Sequence, residues 1–220
     1  MAQTRQANKS KTGQASQERD QIAPNGARGG DKYRRILDAA IDVIAEKGFH
    51  NSRVSDIAER AGVADGTVYL YFKSKEQILM AALDGAFESF YRLAKEELAS
   101  STDAPAKLRT LARLHLRSLS QHRSLAVVLQ TELRQSAKFL AEFSHRELKG
   151  YFDLIREIIR EGQQAGTIRK EVPDKIAAAS LFGALDEMVT SWVLSSRDWD
   201  LAAAADPVID LLLSGMETRL

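Results

Sequence analysis

Cysteine is absent from the 220-residue sequence, and proline occurs only four times. Without cysteine the chain has no disulfides and no thiolate ligands for a metal. No apolar run approaches the length of about 18 residues that predicts a membrane-spanning helix, and the N-terminus lacks the apolar core of a secretion signal. Alternating apolar and polar positions, typical of strands, are also lacking, whereas helical periods cover almost the whole chain. We therefore predict an all-α cytoplasmic protein that does not associate with a membrane.

The sequence also has almost no excess of positive over negative charge. The net charge is +1, from 31 lysines and arginines and 30 acidic residues. Such a balance is weak for a nucleic-acid-binding protein, although the first 80 residues carry 13 basic against 10 acidic side chains. If the chain binds DNA, we expect few phosphate contacts per subunit and a moderate dependence on salt.

Residue patterns typical of catalysis are missing too. The four histidines are scattered, and His115 and His122 lie seven residues apart rather than at the four-residue spacing of helical metal ligands. No glycine-rich phosphate loop follows a strand, and no G-x-S-x-G motif occurs. We predict no enzyme activity, no catalytic residue, no metal site and no cofactor.

Residues 1–30 differ in composition from the rest of the chain. They are rich in Gln, Ser, Gly and Ala, and their only large apolar side chains are Met1 and Ile22. Because such a segment buries too little surface to offset the entropy lost on ordering, we predict a disordered tail. Two roles stay open for it, a basic arm that follows DNA or a solubilising tail without a contact.

The segment from Val54 to Lys75 has the pattern of two short helices joined by a tight turn. Gly62 lies where the first of these helices must end, because glycine turns the chain without a steric penalty. The second helix carries the hydroxyl groups of Thr67, Tyr69 and Tyr71. This pattern predicts a helix-turn-helix that inserts its second helix into the major groove of DNA, with a partnerless helical hairpin as the alternative. A further helix from about residue 32 to 47 precedes it, so the three-helix DNA-binding domain is placed at residues 31–75.

The predicted DNA-binding set combines residues with hydroxyl groups, small or apolar residues that can approach the bases, and lysines. It consists of Ser55, Ala64, Gly66, Thr67, Tyr69, Leu70, Tyr71, Lys73 and Lys75. Thr67 and Tyr69 are expected at base edges, and Lys73 and Lys75 at phosphates. Asp65, an awkward neighbour for phosphates, is expected to cap the second helix rather than to read a cytosine amine. Ser52 is a plausible cap of the first helix. Since one helix-turn-helix supplies too little affinity, we predict a homodimer on a palindromic operator of double-stranded DNA.

Residues 76–220 are predicted to form a helical ligand-binding and dimerisation domain. A helix from Ile176 to about Ser195 is apolar on most of its circumference, and a last helix begins near Asp206. A helix that is apolar nearly all round is buried on several sides. We assign these two helices to a dimer interface, with the core of a monomer as the alternative. The interface residues are Leu181, Leu185, Met188, Trp192, Ile209, Leu212 and Met216.

Three runs in the helix-turn-helix segment resemble a known family. Ile57-Ala58, Ala61-Gly62-Val63 and the run GTVYLYFKSK at residues 66–75 are similar to the N-terminal signature of TetR-type regulators. The resemblance implies that the last two helices pair in a dimer. It also implies that DNA is contacted at the positions of Ser55, Thr67, Tyr69, Tyr71 and Lys75.

Three later segments resemble a narrower group, the TetR-type repressors of fatty-acid degradation called FadR. They are TELRQS at 131–136, LKGY at 148–151 and FGALDE at 182–187. These repressors bind long-chain acyl-CoA and then release DNA. The resemblance therefore implies an acyl-CoA effector.

An apolar stripe along the long helices is the candidate effector site, although by periodicity alone it is either plain core or a tunnel. With the resemblance we expect the alkyl chain to lie against apolar side chains and cations to hold the phosphates. The candidate ligand-binding residues are Arg123, Glu132, Arg134, Phe139, Phe143, Lys149, Tyr151, Ile155, Phe182 and Asp186. Asp186 and Glu187 are too costly to bury together unpaired, so one of them is expected to face water or a partner.

Three functions remain open at this point. The first is a repressor of fatty-acid degradation genes that acyl-CoA releases from its operator. The second is the same DNA-binding protein with another small hydrophobic effector, controlling an efflux or other operon. The third is a helical acyl-CoA-binding protein that does not bind DNA.

Overall fold

The structure, a computed structural model, describes residues 27–133 and 148–216. These residues divide into two compact units. The first unit contains the described residues up to Val43 together with His50–Ala82, and the second contains Ile44–Phe49 and the described residues from Leu83 onward. The described ranges hold nine α-helices and no strand. The all-α prediction is confirmed.

The first unit is built from short helices around a small apolar core. Its elements are α1 (Ala27–Lys47, up to Val43), α2 (Val54–Ala61), α3 (Asp65–Tyr71) and the first two turns of α4 (Lys75–Leu98). Helix α1 begins at Ala27, several residues before the predicted start near residue 32. The remainder of the predicted tail, residues 1–26, lies outside the described residues.

The core of the first unit follows the apolar spacing of its helices. Each helix contributes the positions three and four residues apart, which lie on one face. The buried set is Ile36, Ala39, Ala40, Val43, Ile57, Ala58, Ala61, Val68, Phe72 and Ile78. Tyr33 closes the edge of this core, with its ring 5.2 Å from that of Phe72 and 6.0 Å from that of Tyr71.

The turn between α2 and α3 depends on one glycine and one arginine. Gly62 has φ +64°, a left-handed conformation that glycine adopts without strain. Its amide donates to the Glu59 carbonyl at 3.0 Å. The Arg35 guanidinium of α1 donates to the carbonyls of Ala61 and Gly62, groups that α2 leaves unpaired at its end. This contact fixes the end of α2 against α1.

The starts of α4 and α2 in the first unit are bonded to side chains near them in sequence. Ser74 precedes α4, and its Oγ accepts the amide of Gln77 at 3.3 Å. The Gln77 side chain in turn accepts the amide of Lys73 at 2.8 Å. At α2 the cap position is Arg53, whose amide donates to Asp56 Oδ2 at 2.8 Å. Ser52, which the sequence suggested as this cap, is buried instead.

The second unit contains the longer helices. Its elements after α4 are α5 (Ala104–Ser120), α6 (Arg123–Val127), a π-helical segment (Val128–Glu132), α7 (Lys149–Ala165), α8 (Asp174–Leu194), a 3₁₀ turn (Ala202–Ala204) and α9 (Ala205–Met216). Asp103 caps α5 by accepting the Ala106 amide at 2.8 Å, with Pro105 in the first turn.

The buried face of α5 runs through the middle of the second unit's core. Leu108, Leu111 and Ala112 are fully buried on it. Ion pairs flank this face. Lys107 pairs with Glu161 of α7 at 2.7 Å, and Arg113 Nε pairs with Asp206 of α9 at 2.6 Å. Such exposed pairs are each worth well under about 1 kcal/mol, so apolar burial holds α5 in place.

Among the described helices, α8 alone has the length and apolar composition of a membrane span. The core helix of a soluble protein has the same properties. Leu181, Leu185 and Val189 of α8 are fully buried in the core of the second unit. This burial accounts for part of the apolar composition of the helix, whereas Ile176 and Leu194 are exposed.

Candidate functional site

The outer surface of α3 is the first candidate site. Leu70 is 81% exposed and Tyr69 is 58% exposed. Val68, in the middle of the same helix, is fully buried and anchors the helix to the core. Ala64 and Gly66 are exposed at the helix start. The helix begins at Asp65 with Ala64 at the cap position and no capping side chain, so the prediction that Asp65 caps this helix is wrong.

The remaining predicted DNA-binding residues differ in their solvent exposure. Ser55 and Lys73 are exposed, and Thr67 and Tyr71 are half-buried. Lys75 is also half-buried, and its Nζ donates to the Ser52 carbonyl at 2.6 Å. Burial lowers the pKa of the Lys75 ammonium. This lysine therefore ties the start of α4 to the segment before α2, and part of its hydrogen-bonding capacity is already used.

A short helix with exposed hydroxyl and apolar tips fits the major groove of DNA. The groove admits an α-helix, and base edges present acceptors, donors and thymine methyl groups to it. Tyr69 offers a hydroxyl, and Leu70 offers an apolar tip. At Gly66 no heavy atom lies within 4 Å of the position that a Cβ would occupy, so the backbone there is open to close approach.

The second candidate site is a cluster of aromatic rings within the second unit. It comprises Phe87, Phe90 and Tyr91 of α4, His115 of α5, Tyr151 and Phe152 of α7, and Phe182 of α8. The ring of Phe182 lies 5.0 Å from that of Phe152 and 6.0 Å from that of Tyr151. Phe90 meets Tyr151 edge to face at 5.4 Å. Four helices thus converge on one apolar, ring-lined region.

Two polar side chains are buried inside this aromatic cluster. His115 Nδ1 and the Tyr151 hydroxyl are 2.9 Å apart. Burial lowers the pKa of His115 to about 4, against a smaller opposing effect of Asp186, and burial also raises the pKa of Tyr151. Both groups are therefore neutral at pH 7. Tyr91 Oη lies 2.8 Å from where a Cβ on Gly150 would be, so a larger residue at this position would displace the Tyr91 hydroxyl.

Sequence reasoning missed His115, although a pattern was available. Residues 108, 111, 112 and 115 share one helical face, and the first three are leucine or alanine. A histidine that continues a buried apolar face is expected to be buried with it. The seven-residue spacing of His115 and His122 argues against a helical metal site, but it does not indicate that His115 is buried.

A polar network joins α8 to the π-helical segment. Gln130 Nε2 donates to Asp186 Oδ1 at 2.8 Å, and Thr190 Oγ1 donates to Gln130 Oε1 at 3.0 Å. Glu187, the neighbouring acid, is exposed and accepts the Ser191 hydroxyl at 3.2 Å. The prediction that only one of the two acids lies inside is confirmed, and Asp186 is the inner one.

The structure brings some of the predicted ligand-binding residues together and separates others. Tyr151, Ile155 and Phe182 share one core cluster, and Asp186 is near enough to His115 to influence its pKa. Lys149 is exposed and pairs with Asp153. Arg134, Phe139 and Phe143 lie outside the described residues.

Two further candidates have contacts of their own. Arg123 is exposed, with its guanidinium 4.4 Å from the centre of the Trp192 ring. Glu132 Oε2 accepts the Phe49 amide at 2.7 Å, a bond within the second unit that holds the chain two residues after α1. This bond to the backbone already uses part of the hydrogen-bonding capacity of the Glu132 carboxylate.

The predicted dimer-interface residues need correction. Leu181, Leu185 and Ile209 are fully buried in a single chain, and Trp192 and Met216 are 7% exposed. A side chain without exposed surface has none to bury against a partner. Met188 and Leu212 are half-buried and stay candidates. The exposed side of the same helices carries other residues: Ile176, Ser180, Gly183, Glu187, Ser191 and Leu194 on α8, and Leu211 on α9.

Two family models match the chain, one in each half. Residues 36–82 match that of bacterial regulatory proteins of the tetR family. Residues 84–215 match that of the YsiA-like protein, C-terminal region.

Similar proteins cover nearly the whole chain. The fatty acid metabolism regulator protein of Bacillus subtilis is 41% identical over 188 residues, which are 86% of this chain and 97% of that protein. The fatty acid degradation regulator FadR of Bacillus halodurans superposes with a TM-score of 0.81 and 40% identity, covering 89% of this chain and all of that one. The FadR of B. subtilis in complex with stearoyl-CoA superposes with a TM-score of 0.79 and 42% identity, covering 83% of this chain and 98% of that one. These relatives are transcriptional regulators rather than enzymes.

Proposed function

Because the chain belongs to the TetR family of bacterial regulators, we propose that it is a transcriptional repressor released from its operator by a long-chain acyl-CoA. The genes that it controls are those of fatty-acid degradation. The observation that carries the proposal is the similarity along nearly the whole chain to a regulator solved with stearoyl-CoA.

The exposed surface of α3 supports DNA as the partner. Tyr69 and Thr67 contact base edges, and Leu70 contacts thymine methyl groups. Lys73 is exposed and binds phosphate, whereas Lys75 shares its ammonium between phosphate and the Ser52 carbonyl. With so few cations on this surface, binding depends only moderately on salt.

The aromatic cluster supports an effector with a long apolar chain. Phe90, Tyr151 and Phe182 provide an apolar wall, and each buried CH₂ group contributes about 0.8 kcal/mol. The exposed cations Arg123 and Lys149 are the described candidates for the phosphates of CoA. Arg134, Phe139 and Phe143 stay in the proposed site on the strength of the sequence.

Two copies of the chain bind one operator. The exposed apolar residues Ile176 and Leu194 of α8 and Leu211 of α9 support pairing through these helices. A two-fold dimer places its recognition helices in successive major grooves, about 34 Å apart, on a palindromic site. Since its partners are the chromosome and acyl-CoA, the repressor works in the cytoplasm.

The proposal is tested by selecting genomic fragments of the source organism that the purified protein binds, and then titrating the complex with effectors. We expect fragments upstream of fatty-acid degradation genes, each with a palindrome. Oleoyl-CoA should release them at micromolar concentration. Free CoA, free oleate and a cationic dye serve as matched controls for the headgroup, the chain and a general hydrophobic effector.

The outcomes separate the three hypotheses. If the dye releases the DNA and oleoyl-CoA does not, the protein is a regulator with another effector. Tight binding of oleoyl-CoA without retention of any DNA fragment, at modest ionic strength, overturns the repressor and leaves a carrier.

A further inference from the structure

No described residue forms a hydrogen bond with one ring nitrogen of His115, which lies in a region of almost complete burial. The residue is 9% exposed. Its Nδ1 is engaged with the Tyr151 hydroxyl, and no bond involving Nε2 occurs in the part of the chain that the structure describes. No enclosed side-chain nitrogen or oxygen among the described residues lacks a partner. The Nε2 atom is therefore not fully enclosed and keeps some accessible surface.

The position of the ring proton follows from Tyr151. Burial raises the pKa of Tyr151, so its hydroxyl is protonated. Within residues 27–133 and 148–216, His115 Nδ1 is the hydrogen-bond partner of this hydroxyl, and we assign the hydroxyl as the donor. With Nδ1 as the acceptor, the neutral imidazole carries its proton on Nε2. Nε2 is thus a hydrogen-bond donor.

The surroundings define what this donor can recognise. The rings of Phe90 and Phe182 lie 6.4 Å and 6.3 Å from the imidazole, so the walls beside it are apolar. Asp186 interacts electrostatically with His115 and brings negative charge to the same place. A ligand carboxylate would meet this charge and lose its hydration, at a cost of several kcal/mol. A neutral acceptor oxygen on an apolar chain meets neither penalty.

A thioester carbonyl is such an oxygen, and it is the group that distinguishes an acyl-CoA from a fatty acid at the head of the chain. We propose that His115 Nε2 donates a hydrogen bond to the thioester carbonyl of the effector, making the site selective for acyl thioesters over free fatty acids. Tyr151 acts as a positioning residue that fixes the tautomer. The inference rests on the proposed acyl-CoA response and assigns the residue that recognises the thioester.

The test compares stearoyl-CoA with its thioether analogue, S-octadecyl-CoA, which has the same chain and headgroup but no carbonyl oxygen. Calorimetric titration of the full chain measures both affinities. We expect the wild type to prefer the thioester by about five- to tenfold, the worth of one net hydrogen bond. His115→Leu should reduce the ratio to about one. His115→Gln, whose amide nitrogen lies near the position of Nε2, should retain most of it.

Controls separate recognition from structure. His122→Leu changes an exposed histidine just after α5 and should leave the ratio at its wild-type value. Tyr151→Phe removes the group that fixes the tautomer and should lower the ratio. Circular dichroism establishes whether each variant folds.

Nitrogen-15 spectra of the wild-type histidines give a second measurement that needs no variant. We expect the proton of His115 on Nε2 and a shift of Nε2 on adding the thioester that exceeds the shift with the thioether. A proton on Nδ1, equal shifts for the two ligands, or an unchanged ratio in folded His115→Leu overturns the inference. If the wild type binds both ligands equally, recognition by His115 fails while the acyl-CoA response stands. If it binds neither, the proposed function itself fails.

Discussion

The neutral state of His115 links the effector site to the stability of the second unit. Its imidazole is enclosed by rings and bonded to Tyr151, and Asp186 acts on it electrostatically. A buried base of this kind resists protonation because its charged form would lose hydration. An unfolded chain offers no such resistance.

We therefore expect the wild type to lose stability as the pH falls from 6.5 to about 4. Between these values the unfolded histidine binds a proton, whereas folded His115 stays neutral because its pKa is about 4. The stabilising contribution is complete above pH 6.5 and decreases below it, by at most about 1.4 kcal/mol per pH unit. The phenol of Tyr151, whose pKa is raised by burial, remains protonated throughout this range.

Urea unfolding of the wild type and His115→Gln at several pH values checks this expectation. Glutamine does not titrate, so the variant should show a shallower dependence of its unfolding free energy on pH. Identical slopes for the two proteins would show that His115 does not control the acid sensitivity.

On α3, a substitution of Tyr69 should affect DNA affinity much more than stability. Because its ring is 58% exposed, Tyr69→Ala should change the unfolding free energy by less than about 0.5 kcal/mol. The same change removes a proposed base contact worth about 1–3 kcal/mol, which corresponds to a loss of roughly tenfold or more in operator affinity. Fluorescence anisotropy with a labelled operator measures the loss.

Val68→Ala is the matched control from the neighbouring position. Val68 is fully buried, so its truncation should lower stability by about 1–3 kcal/mol through lost packing. The order of the two variants should thus reverse between the stability and the binding measurements. Equal operator affinity for Tyr69→Ala and the wild type would remove Tyr69 from the contact surface.

At the scale of the element, the turn from α2 to α3 determines how the recognition helix is presented. Its geometry comes from the left-handed Gly62 and from the Arg35 guanidinium that binds the last carbonyls of α2. A Cβ on Gly62 would lie 2.7 Å from Arg35 Nη2. The guanidinium can move away, but only by giving up those carbonyls.

Gly62→Ala should lower the melting temperature of the protein and weaken operator binding. The left-handed conformation alone costs a non-glycine residue about 1–2 kcal/mol, and the displaced guanidinium adds to this. Gly66→Ala, an identical change where no heavy atom lies within 4 Å, is the control. It lies in helix α3 and should leave stability unchanged or raise it slightly. A thermal melt in which both variants behave alike contradicts this account of the turn.

At the scale of the whole molecule, the exposed side of α8 distinguishes a dimer from a monomer. Ile176 and Leu194 on this helix are 62% and 71% exposed, and Leu211 on α9 is 75% exposed. Between them on α8 lie small or polar residues that permit close approach of another helix. We take these exposed apolar residues, with the small residues between them, as the proposed interaction surface.

Gly183→Arg should convert the proposed dimer into a monomer. Gly183 is exposed and has open space around it in the single chain, so an arginine there disturbs the partner rather than the fold. Sedimentation should give twice the 24.4 kDa chain mass for the wild type and a single chain mass for the variant. Glu157→Arg on α7, also an exposed site, is the control and should remain dimeric. A monomeric wild type would contradict the proposed interface, and operator binding by Gly183→Arg with wild-type affinity would show that pairing is not required.

The features that the sequence by itself determined are those set by neighbours along the chain. The helix-turn-helix is one, because the apolar spacing of α2, the glycine at 62 and the cap at Ser74 all act over a few residues. The cap of α5 by Asp103 is another. Where local patterns were ambiguous the predictions failed, as at Ser52 and Asp65, since several polar residues close to a helix start can compete for one cap.

Only the tertiary structure decided which residues meet across the second unit. His115 and Tyr151 are 36 residues apart in sequence, and Gln130 and Asp186 are 56 apart. Helix α8 is apolar nearly all round, so its pattern does not specify which face is buried, and packing against other helices puts Leu181 and Leu185 inside and Gly183 outside. A side chain's burial and charge state depend on atoms that distant segments bring to it, and periodicity along one helix carries no information about them.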